Sequence, residues 1–85
     1  MSALNTYLDR KNSFAKMFGH KVLSLQVATD RQRIADSIDA DLSPENLTCD
    51  GELSRSQVQT RYRALTAAAK ELKQLDPGVK FYEFT

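Results

Sequence analysis

Apolar residues recur at intervals of three and four along most of the chain, which is the spacing of one face of an α-helix. This spacing predicts three main helices, over residues 2–18, 21–40 and 54–75. The apolar face of the first helix would consist of Leu4, Tyr7, Leu8, Phe14, Ala15, Met17 and Phe18. Gly19 would end this helix, because glycine readily adopts the left-handed conformation found after helix C-termini. We therefore expect an all-α fold, a small bundle of three main helices in a single domain over residues 1–85.

Residues 21–28 fit two patterns. Residues 21–27 alternate like a short strand, but Leu23 and Val27 also continue the helical spacing of the apolar positions Ile34, Ile38 and Leu42. We favour a helix from 21 to 40, with Asp30 as an alternative N-cap. Ser43 and Pro44 would end it, because the residue before a proline disfavours helical geometry. The same pair is compatible with a single short turn of helix over residues 44–47.

The third helix has the clearest signals. Ser54 and Gln57 have the spacing of a capping box, in which each side chain bonds the other residue's backbone N–H. A coiled-coil-like seam follows, and we expect a homodimer through its members Val58, Tyr62, Leu65, Ala69 and Leu72. The sequence Asp76-Pro77-Gly78 would end the helix. Residues 79–84 then predict a short strand or an extended segment that packs aromatic rings onto the bundle.

Charge divides the chain into three blocks although the net charge is only +1. Residues 1–35 carry +4, residues 36–52 carry −6, and residues 53–85 carry +3. The acidic block either pairs with the basic segments, within one molecule or between subunits, or forms a solvated loop. On the third helix, Arg63, Thr66, Lys70 and Lys73 form a stripe at helical spacing, which Arg55 and Gln59 flank. This stripe is either a solvated helix face or a partner-binding surface, for which the candidate residues are Arg55, Gln59, Arg63, Lys70 and Lys73.

The two later helices also resemble the helix-turn-helix of DNA-binding proteins. Residues 31–38 would form the support helix, and residues 79–84 a wing strand. The recognition helix would read DNA with Arg55, Ser56, Gln57, Gln59, Thr60 and Arg61. Two features depart from that pattern: the connection is about a dozen residues long where three or four are usual, and it is acidic, so it would repel phosphate.

Residues 46–57 resemble the calcium loop of an EF-hand, with candidate ligands Asn46, Thr48, Asp50 and Gln57. A strong calcium site depends on several carboxylates and a bidentate Glu at the last position, where this chain has Gln57. A glycine turn followed by a helix cap needs the same residues. We therefore interpret the segment as a structural turn, with a weak divalent-ion site as the alternative.

No catalytic constellation is evident. The chain has one cysteine, Cys49, and one histidine, His20, too few for a zinc site and a poor basis for nucleophilic catalysis. No apolar run is long enough for a membrane span, and a lone cysteine fits a reducing compartment, so we expect a cytoplasmic protein without cofactor or metal. The leading hypothesis is a non-enzymatic regulatory or interaction protein that binds another macromolecule, most readily a protein, of a size common among phage or accessory factors. The helix-turn-helix regulator is the alternative, and a weak divalent-ion binder is the third.

Overall fold

The computed structural model describes residues 2–84 and contains four helices. These are α1 (Ala3–Met17), α2 (Ala28–Leu42), the single turn α3 (Pro44–Leu47) and α4 (Arg55–Leu75). Within residues 2–84 there is no β-strand, and no helix is both long and apolar enough to cross a membrane. The prediction of an all-α bundle of three main helices followed by an extended segment is confirmed. Residues 79–84 form that extended segment, so of the two alternatives for these residues the strand, and with it the wing strand, is wrong.

The helix ends follow the local signals in the sequence. The Ser2 hydroxyl accepts a hydrogen bond from the Asn5 N–H and caps α1, and Gly19 adopts a positive φ of 72° just after the C-cap. The capping box of α4 is complete: Gln57 N–H donates to Ser54 Oγ (3.2 Å), and Ser54 N–H donates to Gln57 Oε1 (2.9 Å). Both of these helices therefore begin where their caps predict, within one residue.

The core lies where α4 packs against α1 and α2. Its largest fully buried side chains are Ile34, Ile38 and Leu72, and the fully buried Ala68 and Ala69 allow α4 to approach its neighbours closely. Helices α1 and α4 are antiparallel, because Glu71 near the end of α4 accepts hydrogen bonds from the N–H groups at the start of α1, Ala3 (2.9 Å) and Leu4 (3.3 Å). One carboxylate thus satisfies two donors that every helix N-terminus leaves free.

The prediction of a helix from residue 21 is wrong at its start, and so is the strand alternative. The helix begins at Ala28, with Val27 as its N-cap and Asp30 in its first turn. Residues 21–27 are irregular because Asn12 on α1 bonds both the N–H and the C=O of Leu23, each at 2.9 Å. Asp30 is buried and accepts the N–H of Ser24. These tertiary hydrogen bonds replace the backbone bonds that a longer helix would have made.

The C-terminal segment is held by polar side chains of α2. Gln32 bonds both the N–H and the C=O of Lys80, each at 3.0 Å. The buried Asp39 carboxylate accepts the N–H groups of three successive residues, Tyr82, Glu83 and Phe84. Because three donors converge on one carboxylate, Asp39 fixes the path of the segment and places Phe84 against the core.

An ion pair joins the start of α2 to the end of α4. Arg31 Nε lies 2.8 Å from Asp76 Oδ2, and the Arg31 guanidinium also donates to the carbonyl of Leu25. The hydrogen bond from Arg31 lowers the pKa of the Asp76 carboxyl. This pair therefore stabilises the fold above the ordinary range of an aspartate pKa, and its contribution is lost as the pH falls through the lowered value.

The last turn of α1 departs from the expected apolar face. Leu4 and Leu8 are buried, but Phe14, Met17 and Phe18 are more than half exposed. Helix α1 thus contributes buried side chains only from its first half. The apolar spacing of α1 therefore predicts the helix but not which of its apolar residues are buried.

Candidate functional site

The predicted partner-binding residues lie along one side of α4. All five are exposed: Arg55, Gln59, Arg63, Lys70 and Lys73. At about 1.5 Å per residue, the eighteen-residue step from the first to the last spans about 27 Å. Within residues 2–84, none of the four cations among them forms an ion pair, whereas Lys11 and Arg31 both do. We call this surface the outer face of α4.

Repulsion within the outer face is not relieved by the rest of the described chain. Lys70 and Lys73 are three residues apart on the helix, a spacing at which like charges destabilise it by a few tenths of a kcal/mol. The one acidic residue of α4, Glu71, is half-buried and bonds the start of α1. No ion pair with a described residue therefore offsets the repulsion between these charges.

An aromatic side chain borders the outer face. Tyr62 is 51% exposed and lies three residues after Gln59 and four before Thr66, whose hydroxyl donates to the Tyr62 carbonyl (2.9 Å). Tyrosine and arginine are the residues that most often dominate binding at protein interfaces. Tyr62 therefore places an exposed aromatic ring beside the cations of the outer face.

The seam predicted for a homodimer is mostly occupied within the molecule. Leu65, Ala69 and Leu72 belong to the core of the chain itself, and Val58 is half-buried. Only Tyr62 of this set is exposed. A homodimer through all five residues would require the bundle to open, because the same side chains cannot fill the core and contact a second copy.

The residues of the helix-turn-helix hypothesis are divided between two surfaces. Arg55 and Gln59 lie on the outer face, but the other four, Ser56, Gln57, Thr60 and Arg61, line a cleft between α4 and α1. A recognition helix must project from its domain to enter the major groove. Here one side of the first turns of α4 faces a concave surface, and the acidic Asp50 and Glu52 directly precede it.

The cleft has a volume of about 800 Å³. From α1 it is lined by Tyr7, Arg10, Lys11 and Phe14, and from α4 also by Ala64 and Leu65. Asp41 at the end of α2 closes one side. It carries three cations and one carboxylate, because its other lining residues are uncharged.

A compact polar cluster forms one wall of the cleft. The Tyr7 hydroxyl donates to Asp41 Oδ2 (2.8 Å) and lies 2.7 Å from Ser37 Oγ. Lys11 Nζ pairs with the same Asp41 oxygen at 3.1 Å. Burial, followed by the interactions with Asp41, raises the pKa of Tyr7 well above its ordinary value. Asp41, the one carboxylate in the lining, thus pairs with Lys11, which leaves Arg10 and Arg61 as the uncompensated charges of the cleft.

Arg61 is the least satisfied of these groups. Its Nε is buried and has no hydrogen-bond partner within residues 2–84, and Arg61 forms no ion pair with any described residue. A buried charged donor without a partner destabilises the folded state, because it has lost its hydrogen bonds to water and has formed none with the protein.

The segment that resembles a calcium loop has the structure of a turn. Cys49, Asp50 and Gly51 all have positive φ. The Thr48 hydroxyl donates to the Pro44 carbonyl (2.7 Å), the Asn46 amide donates to the Ala40 carbonyl (2.7 Å), and Gln57 is held in the capping box. Three of the four candidate ligands thus serve the turn, and residues 2–84 contain no group of three His, Cys, Asp or Glu side chains placed to hold a metal ion.

The acidic block is divided rather than uniform. Asp39 binds the C-terminal segment and Asp41 pairs with Lys11, while Glu45, Asp50 and Glu52 are exposed. Cys49 is exposed, and its thiol donates only a weak bond to the carbonyl of Asn46. His20 is exposed on the segment after α1.

Sequence reasoning found the outer face but missed the α1 side of the cleft. Tyr7, Arg10 and Phe14 follow one another at intervals of three and four, so their common face was visible in the sequence. Aromatic residues at helical spacing usually indicate core, so the sequence predicts Tyr7 and Phe14 to be buried. No signal within one helix indicates that α1 and α4 diverge at this end and leave a cleft between them.

No protein-family model, curated protein or solved structure matches this chain. Inference about its function therefore rests on the geometry and charge of these two surfaces.

Proposed function

We propose that this protein is a non-enzymatic interaction protein that binds an acidic surface of another protein through the outer face of α4. The observation that carries the proposal is the row of unpaired cations along one exposed helix face of a chain whose net charge is only +1. Charges that repel one another without internal compensation weaken the free protein slightly and favour binding of an opposite charge.

Two observations favour a protein partner over nucleic acid. Tyr62 beside the stripe offers an aromatic anchor of the kind common at protein interfaces. The exposed acidic residues Glu45, Asp50 and Glu52 lie in the segment just before α4 and would repel a phosphate backbone. A regulatory or accessory role, carried out in the cytoplasm, would fit such a binding protein.

Fluorescence anisotropy with two labelled probes tests the proposal. One probe is a twenty-residue, Glu-rich helical peptide, and the other is a twenty-base-pair duplex DNA of mixed sequence. We expect the peptide to bind more tightly than the DNA, and tenfold or more weakly after the double substitution Arg63→Glu and Lys70→Glu. The matched control carries Lys16→Glu and Arg33→Glu, two exposed cations outside α4.

Tighter binding of the DNA would overturn the proposal. If that DNA binding were also lost in the double variant Arg55→Ala and Arg61→Ala, the helix-turn-helix hypothesis would replace it. Equal losses of affinity for the peptide in the outer-face variant and in the control variant would show that net charge alone, and not this face, governs the interaction.

A further inference from the structure

The cleft between α1 and α4 is a second surface that binding through the outer face does not use. Of its lining residues on α4, Gln57, Arg61 and Ala64 lie on the opposite side of the helix from Arg55, Gln59 and Arg63, and Ser56 and Thr60 lie between the two sides. Its volume of about 800 Å³ falls within the range of small-molecule sites, about 300 to 1,000 Å³. A ligand held there would not compete with a partner on the outer face.

The cleft combines apolar walls with two uncompensated arginines. Phe14, Ala64 and Leu65 offer an apolar lining, whereas Arg10 enters from α1 and Arg61 from α4. Lys11 is already paired with Asp41, so this carboxylate does not neutralise the arginines. The net charge of the lining is +2, from three cations and one anion.

The unpaired guanidinium of Arg61 indicates which chemical class of ligand would bind in the cleft. A guanidinium offers a rigid fork of donors that matches the paired oxygens of a carboxylate or phosphate. Arg61 lines the cleft, forms no ion pair with any described residue, and its Nε has no hydrogen-bond partner among them, so an anion in the cleft would compensate a guanidinium charge that no described group does. The first turn of α4, with Ser56 and Gln57 in the lining, adds the positive end of its helix dipole to the same side.

We propose that the cleft binds a small organic anion, with a carboxylate or phosphate head at Arg61 and Arg10 and an apolar body against Phe14 and Leu65. The head replaces water at the unpaired guanidinium groups, and the body covers the apolar walls. Both parts are required, because neither the charges nor the apolar surface alone accounts for the lining.

Titration followed by two-dimensional ¹H–¹⁵N NMR tests this site. Phenyl phosphate and phenylacetate, titrated separately, each provide a head and a body, whereas inorganic phosphate provides only a head and benzyl alcohol only a body. At least one of the first two should cause saturating shifts of amides in residues 6–14 and 56–65, with affinity about tenfold or more above that of either partial probe. Whichever of the two binds more tightly identifies the preferred head.

Variants distinguish a built site from general attraction. Arg61→Gln and, separately, Arg10→Gln should weaken binding by about 10- to 100-fold, because each removes a charge-assisted contact. Arg33→Gln, an exposed arginine on α2, is the matched control and should leave the affinity unchanged. Arg10 is itself exposed, so its variant keeps the test valid if Arg61→Gln does not fold.

Three results would overturn the proposal: no saturating shift with either complete probe, equal affinity for inorganic phosphate, or a loss in Arg33→Gln as large as that in Arg61→Gln. The Arg63→Glu and Lys70→Glu variant should keep its affinity for the complete probe, which separates this site from the outer face.

Discussion

The inner and outer faces of α4 differ in composition and in burial. Toward α1 and α2 its residues Leu65, Ala68, Ala69 and Leu72 are buried, and they are apolar. On the opposite side the helix carries four cations that meet no carboxylate within residues 2–84. The inner face therefore packs the helix into the fold, and the outer face is the surface that we propose for binding.

Charged groups elsewhere in the molecule make the contrast clearer. Asp39 holds three backbone N–H groups, and Glu71 holds two. Lys11 and Arg31 each pair with a carboxylate. Charged side chains thus hold the C-terminal segment, the start of α1 and the junction between α2 and α4. The lack of such contacts on the outer face is a local property and not a general feature of the chain.

The largest effect should come from the inner face. Leu72→Ala removes a fully buried side chain between the packed helices and should lower the free energy of unfolding by about 2–5 kcal/mol. Urea denaturation followed by circular dichroism measures this change. Leu75→Ala, three residues later and 56% exposed, is the matched control and should change stability by less than about 0.5 kcal/mol. Similar losses in both variants would contradict the division of α4 into two faces.

A smaller loss should follow from removing a charge that the fold uses. Asp39→Ala leaves three N–H groups of the C-terminal segment without their acceptor, at a cost of about 1–3 kcal/mol. Hydrogen exchange at residues 82–84 should accelerate more than exchange in α4. Asp39→Asn keeps one carbonyl oxygen, so its stability and its exchange rates at residues 82–84 should lie between those of the wild type and of Asp39→Ala. Unchanged exchange at these amides would show that the carboxylate does not hold the segment.

The hydrogen bonds of Tyr7 should contribute about 1 kcal/mol to the free energy of unfolding. Tyr7 should also affect how this free energy depends on pH. Because burial raises the pKa of Tyr7 in the folded state, the unfolded chain loses this proton first as the pH rises past about 10. The stability of the wild type should therefore fall above about pH 10, and the stability of Tyr7→Phe should fall less steeply there. Urea denaturation at pH 9, 10 and 11 measures the slopes. Tyr82→Phe, in which the lost phenol is 80% exposed, is the control and should keep the wild-type slope.

The smallest effect on stability should come from the outer face. The double substitution Arg63→Glu and Lys70→Glu should leave the free energy of unfolding within about 0.5 kcal/mol of the wild type, because both side chains are exposed and unpaired. Thermal and urea denaturation check this expectation. A loss comparable to that of Leu72→Ala would mean that the outer face takes part in folding.

How much of this structure the sequence predicts depends on whether the signal lies within one helix. The capping box at Ser54 and the charged stripe are local patterns, so α4 and its outer face could be predicted from residue spacing alone. The start of α2 could not, since Asn12 on another helix and Asp30 hold residues 21–27 in an irregular path. A periodic pattern does not record hydrogen bonds from distant side chains.

The cleft illustrates the same limit. Arg61 could be identified as a candidate binding residue, but only for DNA, because its neighbours Arg10 and Phe14 come from a helix more than forty residues away. Likewise, the seam predicted for a homodimer is a real apolar stripe whose members Leu65, Ala69 and Leu72 pack within the chain. An apolar stripe indicates that a helix packs against something, and the tertiary structure decides what that is.

The central claim is that charge on the outer face of α4 determines binding, and a charge-swap measurement by fluorescence anisotropy tests it most directly. The Arg63→Glu and Lys70→Glu variant is titrated with the Glu-rich peptide and with a second peptide in which lysines replace the glutamates that face the protein. We predict that the variant loses the first peptide and binds the second, while the wild type does the reverse. If the variant binds neither peptide although it is fully folded, or still binds the Glu-rich peptide as the wild type does, the claim is contradicted.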